Sequence, residues 1–308
     1  MFDFSSFLYI IIQRSTDIPN VALCRIIPIQ LHGRQGYTFH DTIVSVGSSV
    51  FDGCTSLVYN VKNGVKYLGI PGKEFIVAVG SVEQRPTSIT IDDTCKVIAG
   101  GAFIRNYKLV SVAIGENVKT IGKSAFDSCS ALESISFPNS VTLVEGYAFS
   151  DSALKTVTLN SNLKIVGEFA FYNCDDLVSA NLPDNLERLS NGAFYSCEKL
   201  TSIVIPNKLY AIEEQTFSVC YALKTATLGS GIKVIGKDAF SGSTTLHTVN
   251  MQNGVTEIGD LAFLQCSALR TINFAGSKAE WSAIVKSPSW NFYAGSFTVY
   301  CTDGNATK

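Results

Sequence analysis

Charge is scarce in this chain: Asp, Glu, Lys and Arg make up 16% of 308 residues and leave a formal net charge of −2. So small and balanced a charge gives no electrostatic pull toward nucleic acid or an anionic membrane. Histidine is scarcer still, with only His32, His40 and His247, and there is no Cys-x-x-Cys pair, so the clustered ligands of a zinc site are missing. Long apolar runs are also lacking. The longest, Phe7 to Ile12, falls far short of the roughly 20 residues that span a bilayer. Asp3 and no basic residue precede that run, and no clear small-residue cleavage site follows it, so the amino end does not read as a secretory signal.

Catalytic signatures are missing too. The chain has no G-x-S-x-G elbow, no Gly-rich phosphate loop with its Lys, no H-E-x-x-H, and no His placed to serve a Cys or Ser nucleophile. The acidic pairs Asp92-Asp93, Asp175-Asp176 and Glu213-Glu214 are adjacent in sequence and read as solvated corners, not as a glycosidase couple. The expectation is a protein without catalysis, cofactor or bound metal.

What the chain has instead is hydrophobic material, 46% of residues, in a strict rhythm. A corner, Ala-Phe in all but Thr216-Phe217, places Phe at 103, 126, 149, 171, 194, 217, 240 and 263, and every interval is 23 residues except the 22 between Phe149 and Phe171. Phe51 precedes this series by one repeat plus 29 inserted residues. Leu follows each Phe by six positions, as Leu57, Leu109, Leu132, Leu177, Leu200, Leu223, Leu246 and Leu269; in the short repeat Leu154 follows by five. Beyond each Leu an apolar pair two residues apart recurs, such as Ile203 with Ile205 and Ala226 with Leu228, the alternation of a half-buried strand.

A second apolar pair, such as Val118 and Ile121, precedes the next Phe and is often followed by Gly, as at Gly122, Gly167, Gly236 and Gly259, where a sharp turn is expected. One repeat is thus a strand, a turn, a second extended piece and a tight corner. No such unit buries its apolar face alone, so the repeats must stack, with strands about 4.8 Å apart in parallel sheets. The fold class that follows is a repeat solenoid of nine coils, made mainly of short parallel β-strands with tight corners and short helical turns, and capped at both ends.

The pattern I-G-x-x-A-F-x-x-C-x-x-L-x-x-V-x-I-P, as in residues 121 to 138, resembles the BspA-type leucine-rich repeat family from about Ile43 to Phe274. The resemblance implies a leucine-rich-repeat solenoid that acts as a non-enzymatic binding protein, at a cell surface or secreted, engaging host proteins, matrix or other cells. The absence of a clear signal peptide leaves open a cytoplasmic scaffold or a virion-associated receptor-binding module.

The boundaries read as an amino-terminal cap over 1–42, a solenoid over 43–275 and a carboxyl-terminal cap over 276–308. A hairpin inserted near 62–86 carries Val65 and Tyr67 on one strand, Phe75, Val77 and Val79 on the other, and Pro71-Gly72 suited to a type II turn. It either projects from the solenoid or covers its edge. In the last segment Ser277 and Glu280 make a capping-box pair, and "SFTVYCTDG" alternates Phe297, Val299 and Cys301.

Six of the nine cysteines, at 54, 129, 174, 197, 220 and 266, stand three residues after the marker Phe, where other coils have Asn106, Ser152 or Ser243. They read as a ladder of buried thiols bonded to backbone. Stacked thiols would point the same way rather than toward each other, so disulfides are not expected, and so many free thiols suggest a reducing or anaerobic setting.

Outward positions of the first strand supply the candidate site. A hydroxyl stands just before the first inward residue in every repeat: Ser111, Ser134, Thr156, Ser179, Ser202, Thr225, Thr248 and Thr271. The row before it varies widely and includes Glu133, Lys155, Thr201, Lys224, His247 and Arg270, while the row beyond includes Thr158, Asn181, Thr227, Asn250 and Asn273. Variation over a fixed frame marks a recognition surface for a protein or glycan. The competing reading is that these rows are soluble scaffold only, an exposed strand face, with binding at the hairpin or a cap. Thr-x-Thr at 156 to 158 and 225 to 227 also raises ice binding, a motif complete in only those two repeats.

Overall fold

The computed structural model describes residues 9–12, 25–28, 45–47, 59–70 and 74–306. Most of the segment 1–42, the early markers Phe51, Cys54 and Leu57, and the turn Pro71-Gly72 lie outside the described residues. Near the amino end, strand Tyr9–Ile12 pairs antiparallel with Arg25–Pro28.

The chain winds as a β-solenoid of about 10 turns with 23-residue periodicity and almost no helix. Its first ladder stacks parallel strands, among them Ser202–Val204, Thr225–Thr227, Thr248–Met251, Thr271–Phe274 and Thr298–Cys301, in unbroken register. Shorter pieces, Ser88–Thr90 with Ser111–Ala113 and Thr156–Thr158 with Ser179–Asn181, precede it. Residues 134–136 form no strand, and this gap adjoins the one short interval of the sequence, from Ile135 to Val157. The second ladder is built from two-residue strands such as Thr120–Ile121, Leu143–Val144 and Ile165–Val166, whose second residue is buried in each, with Thr120 buried as well.

The 23-residue spacing stops at Phe274 but the coiling does not. The segment after it forms helix Lys278–Ala283, capped by Ser277 with Glu280 bonding back. Val285–Lys286 then joins the second ladder, and Thr298–Cys301 joins the first. Trp281 and Trp290 pack here edge-on, Trp290 against the last repeat Phe, Phe263, at 5.8 Å.

The inserted strands do not stand away from the solenoid. Asn60–Lys62, Val65–Ile70 and Glu74–Ser81 form an antiparallel meander, and the last of them pairs parallel with Val97–Ile98. The meander therefore extends the second ladder, and Ile76, Val77 and Ala78 are buried on both of its faces. At the junction the Tyr67 hydroxyl accepts from the Asp92 N–H at 2.9 Å. The Asp92 carboxylate accepts from Lys62 and from the N–H and hydroxyl of Thr94. Asp92 is thus not the solvated half of an acidic pair: it is 8% exposed and ties the meander to the stack.

Corners hold a third column of inter-coil bonds. At Phe126 the N–H groups of Ser124, Phe126 and Ser128 donate to the carbonyls of Gly146, Ala148 and Ser150 in the next coil, at 2.8 to 3.0 Å. The residues between them close turns within their own coil, as Ala125 does on Gly122. This alternation requires left-handed backbone two residues before and two after each Phe, seen at Ser124 (φ 55°) and Ser128 (φ 59°). Every corner repeats it, even where Val219 must take φ 60°, a conformation that costs an L residue about 1–2 kcal/mol.

The glycines of the motif have a different task from the one expected of them. Gly122, Gly167, Gly236 and Gly259 do not adopt positive φ; they let backbones approach. A Cβ on Gly167 would lie 2.5 Å from the Gly146 nitrogen.

Inside each corner the Phe rings form a continuous column from Phe103 to Phe263, with centroids 5.2 to 5.7 Å apart and planes within 16° of parallel. The separation exceeds the strand spacing of about 4.8 Å, so the rings are offset, the favoured way to stack. Beside them each thiol donates to the Phe carbonyl of the preceding coil: Cys129 to Phe103, Cys174 to Phe149, Cys197 to Phe171, Cys220 to Phe194 and Cys266 to Phe240, at 3.2 to 3.4 Å. Ser243 makes the same bond to Phe217 at 2.9 Å. Burial pushes the Cys129, Cys174 and Cys220 thiols up to about 12.

Three outcomes are expected. Phe194→Ala should cost about 3–5 kcal/mol in urea unfolding, and a negligible change would contradict a core built on the ring column. Alkylation of the native protein, mapped by mass spectrometry, should spare buried Cys129, Cys174, Cys197, Cys220 and Cys266 and modify the half-exposed Cys301; labelling of the five in the native state would show that the corners are open. Burial works to raise the Asp92 carboxyl, but hydrogen bonds from Lys62 and Thr94 outweigh it and hold the group below its usual value. Its contribution is therefore present above the ordinary carboxylate range and lost as pH falls through the depressed value. Asp92→Asn should destabilise the protein at pH 7, and that loss should shrink as pH falls below the ordinary carboxylate range; a loss that does not change with pH would rule out the charge.

Candidate functional site

Strand alternation on the first ladder sends Ile203, Ala226, Val249 and Ile272 inward and leaves their neighbours facing out. Register then aligns those neighbours into rows. Ser202, Thr225, Thr248, Thr271 and Thr298 stand opposite one another, as do Val204, Thr227, Asn250, Asn273 and Tyr300. Five strands at about 4.8 Å make a regular array about 19 Å long. In the earlier piece Thr156 aligns with Ser179 and Thr158 with Asn181.

Glu133, Lys155, Thr156, Thr158, Asn181, Lys224, His247, Arg270 and Asn273 are exposed, whereas Thr201, Thr225, Thr227 and Asn250 are half-buried. The structure thus brings these side chains onto one face, although Lys155, Thr156, Thr158 and Asn181 lie on a separate two-stranded piece and Glu133 lies beyond the gap at 134–136, outside the continuous ladder. Two neighbouring rows behave differently. Along the far row, the Asn250 amide donates to the Thr227 hydroxyl at 3.0 Å and the Asn273 amide donates to the Asn250 oxygen at 2.8 Å. Such a chain orients its members and leaves hydrogen-bonding capacity turned to solvent.

The near row carries the charges, and they are not equally available. Lys155 pairs with Glu133 at 2.6 Å, with both side chains more than half exposed. Arg270 folds back, donating from Nη1 to the carbonyls of Ser267 and Leu269. His247 shares a 3.1 Å contact with the Thr248 hydroxyl, and Thr201 donates to the Val178 carbonyl at 3.3 Å. Of the three bases, only Lys224 makes no side-chain hydrogen bond or ion pair among the described residues. The face can therefore offer hydroxyl, amide and one unengaged ammonium group, the chemistry of hydrogen bonding rather than proton transfer.

Sequence reasoning stopped one coil early. Thr298 and Tyr300 continue both rows, and Tyr300 is 48% exposed. The alternation of Phe297, Val299 and Cys301 was the signal for them, since it sends the residues between outward. Among the described residues no group of three or more His, Cys, Asp or Glu side chains is gathered as a metal site. Nor is any helix among them long and apolar enough to cross a membrane.

Comparison with known proteins accords with this architecture. A model of the BspA type leucine-rich repeat region matches residues 83–200 and 164–284, in 6 copies. The chain belongs to the BspA-type leucine-rich repeat family. Leucine-rich repeat proteins are generally interaction modules. A leucine-rich repeat protein of Bacteroides ovatus is similar in structure, with 26% identity over 85% of this chain and a TM-score of 0.62. The chain covers 66% of that protein's resolved length. The T. pallidum leucine-rich repeat protein shares the fold, at 23% identity, a TM-score of 0.55, and coverage of 61% of this chain and 91% of that one. No curated protein matches the chain.

Because both partners are exposed, the Glu133–Lys155 pair is worth little to stability. Glu133→Gln should shift urea unfolding by less than about 1 kcal/mol; a larger loss would mean that the pair holds the coil across the break in the ladder.

Proposed function

We propose that this BspA-type solenoid is a non-enzymatic binding module, which meets a protein or glycan surface through the outward rows of its first ladder. The observation that carries this reading is the registered array on that ladder: hydroxyl and amide side chains at constant spacing, on a frame whose own needs are met from the inside. Such a frame holds the face rigid, so little ordering entropy opposes binding. The centre of the array, Thr225, Thr227, Thr248 and Asn250, is neutral, and Lys224, His247 and Arg270 border it. Family membership favours a location at a cell surface, with adhesion to host proteins or matrix as the task.

A second reading rests on the seven unpaired cysteines among the described residues. Unpaired thiols fit a reducing environment, and with it a cytoplasmic scaffold or a virion-associated module. Protease shaving of intact source cells separates the two. Release of solenoid peptides, with a cytosolic control protected, supports adhesion; peptides found only after lysis remove it.

The face itself is tested with the purified chain on arrays of matrix proteins and glycans. Charge reversal at Lys155, Lys224 and Arg270 together should weaken the bound partner at least tenfold without changing the melting temperature by more than a few degrees. Lys224→Glu alone should account for most of the loss, since its ammonium group is the one unengaged. Unchanged affinity in the triple variant would discard this face.

A further inference from the structure

Four aromatic rings lie together on the outer side of three consecutive corners, away from the first ladder. Tyr147 and Phe169 occupy the position two before the marker Phe, and their rings stack at 5.2 Å and 21°. Tyr172 and Tyr195 occupy the position just after it, 5.5 Å apart. Phe169 joins the two pairs, meeting Tyr172 edge-on at 5.9 Å and Tyr195 at 6.3 Å. Its ring lies over Gly192, where a Cβ would come within 2.2 Å of it. All four rings are partly exposed.

The frame does not call for these rings. Neighbouring coils place Gly101, Ser124, Gln215 and Asp238 at the first position and Asp127, Ser150, Ser218 and Ser241 at the second. The cluster is a local addition to a repeating corner that folds without it. Carboxylates surround it: Asp127 and Glu168 raise the Tyr147 hydroxyl, after the larger effect of its burial. Asp151 and Glu198 act in the same way on Asp175, again after burial. Asp127, Asp151, Glu168 and Asp175 have no ion-pair partner within 4 Å among the described residues.

Aromatic faces ringed by unpaired carboxylates attract one kind of group, a cation that can lie on a π-face while its charge is met at the rim. The chain already uses this pairing on itself. The Lys123 ammonium sits over the Tyr147 ring at 5.9 Å, and the Arg85 guanidinium over Tyr107 at 4.2 Å in the first described corner.

We propose that the Tyr147–Phe169–Tyr172–Tyr195 corner is a second docking site, which takes an extended arginine- or lysine-bearing segment of a partner protein. The Tyr172 and Tyr195 rings receive the cationic side chains, because Phe169 is covered by Tyr147 and Gly192 and Tyr147 by Phe169 and Lys123, and Glu168 and Asp175 meet their charge. The site is independent of the first-ladder face and stands whether or not that face binds.

The test uses the full chain and a fluorescein-labelled Gly-Arg-Gly-Arg-Gly-Arg peptide, read by polarisation at low ionic strength, with the Gly-Ser counterpart as control. Tyr147→Ser, Tyr172→Ser and Tyr195→Ser are combined, since Ser stands at these positions in adjoining coils. The arginine peptide should bind and the serine peptide should not; the triple variant should lose at least tenfold in affinity with its melting transition kept. Glu168→Gln with Asp175→Asn, both exposed, should weaken binding several-fold and flatten its salt dependence, which keeps the test in force if the aromatic variant folds poorly. Equal binding of the serine peptide, or unchanged affinity in both variants, would overturn the proposal. So would maltohexaose binding more tightly than the arginine peptide and being lost in the triple variant, which would make the corner a sugar site.

Discussion

A single coil holds two short strands and a corner, and none of these can bury its apolar side against the rest of the same coil. Contact between one coil and the next supplies what is missing, and it does so most densely at the corner. There the Phe ring meets the Phe ring, the thiol meets the preceding Phe carbonyl, and alternate N–H groups cross to the next backbone. Left-handed residues two before and two after each Phe make that crossing possible, and glycines such as Gly167 let the backbones come close enough for it. Remove the inter-coil contact and no part of the repeat has a reason to keep its shape.

Because the frame is satisfied from within, its outward positions are released for other uses. On the first ladder they form registered rows of hydroxyl and amide groups; on three corners they hold aromatic rings among carboxylates. The two surfaces differ in chemistry and share a scaffold, which is how a solenoid carries more than one contact on a monotonous core. Both ends need closing against edge pairing. A meander anchored by Tyr67 and Asp92 extends the stack on one side, and a tryptophan-bearing coil with Trp281 and Trp290 extends it on the other.

Periodicity made the core legible in the sequence. The inward roles of Phe194, Leu200 and Ile203 and the thiol ladder follow from offsets that repeat, and the helix cap at Ser277 from the local Ser-x-x-Glu pattern. What escaped was mostly what does not recur at a fixed distance along the chain, and, where a residue does recur, the reason for it. The coil completed by Thr298–Cys301 is 27 residues from Ile272 to Val299 rather than 23, so counting missed it while the register found it. Asp92 looked like half of a solvated pair because its partners, Lys62 and Tyr67, come from an inserted meander. Gly122 and its equivalents suggested turns because composition does not distinguish a glycine needed for φ from one needed for closeness. Within the candidate face, residue types showed which positions vary, but not that Lys155 and Arg270 are engaged while Lys224 is not.

Native-state hydrogen exchange, resolved to single amides by NMR, tests the corner directly. If coil-to-coil contact at the corner holds the fold, the amides of Phe171, Phe194 and Phe217 exchange as slowly as the first-ladder amides of Lys224 and His247, all opening together in global unfolding. Rapid exchange at the three Phe amides beside protected ladder amides would show that the sheets stand without the corner, and would contradict the account.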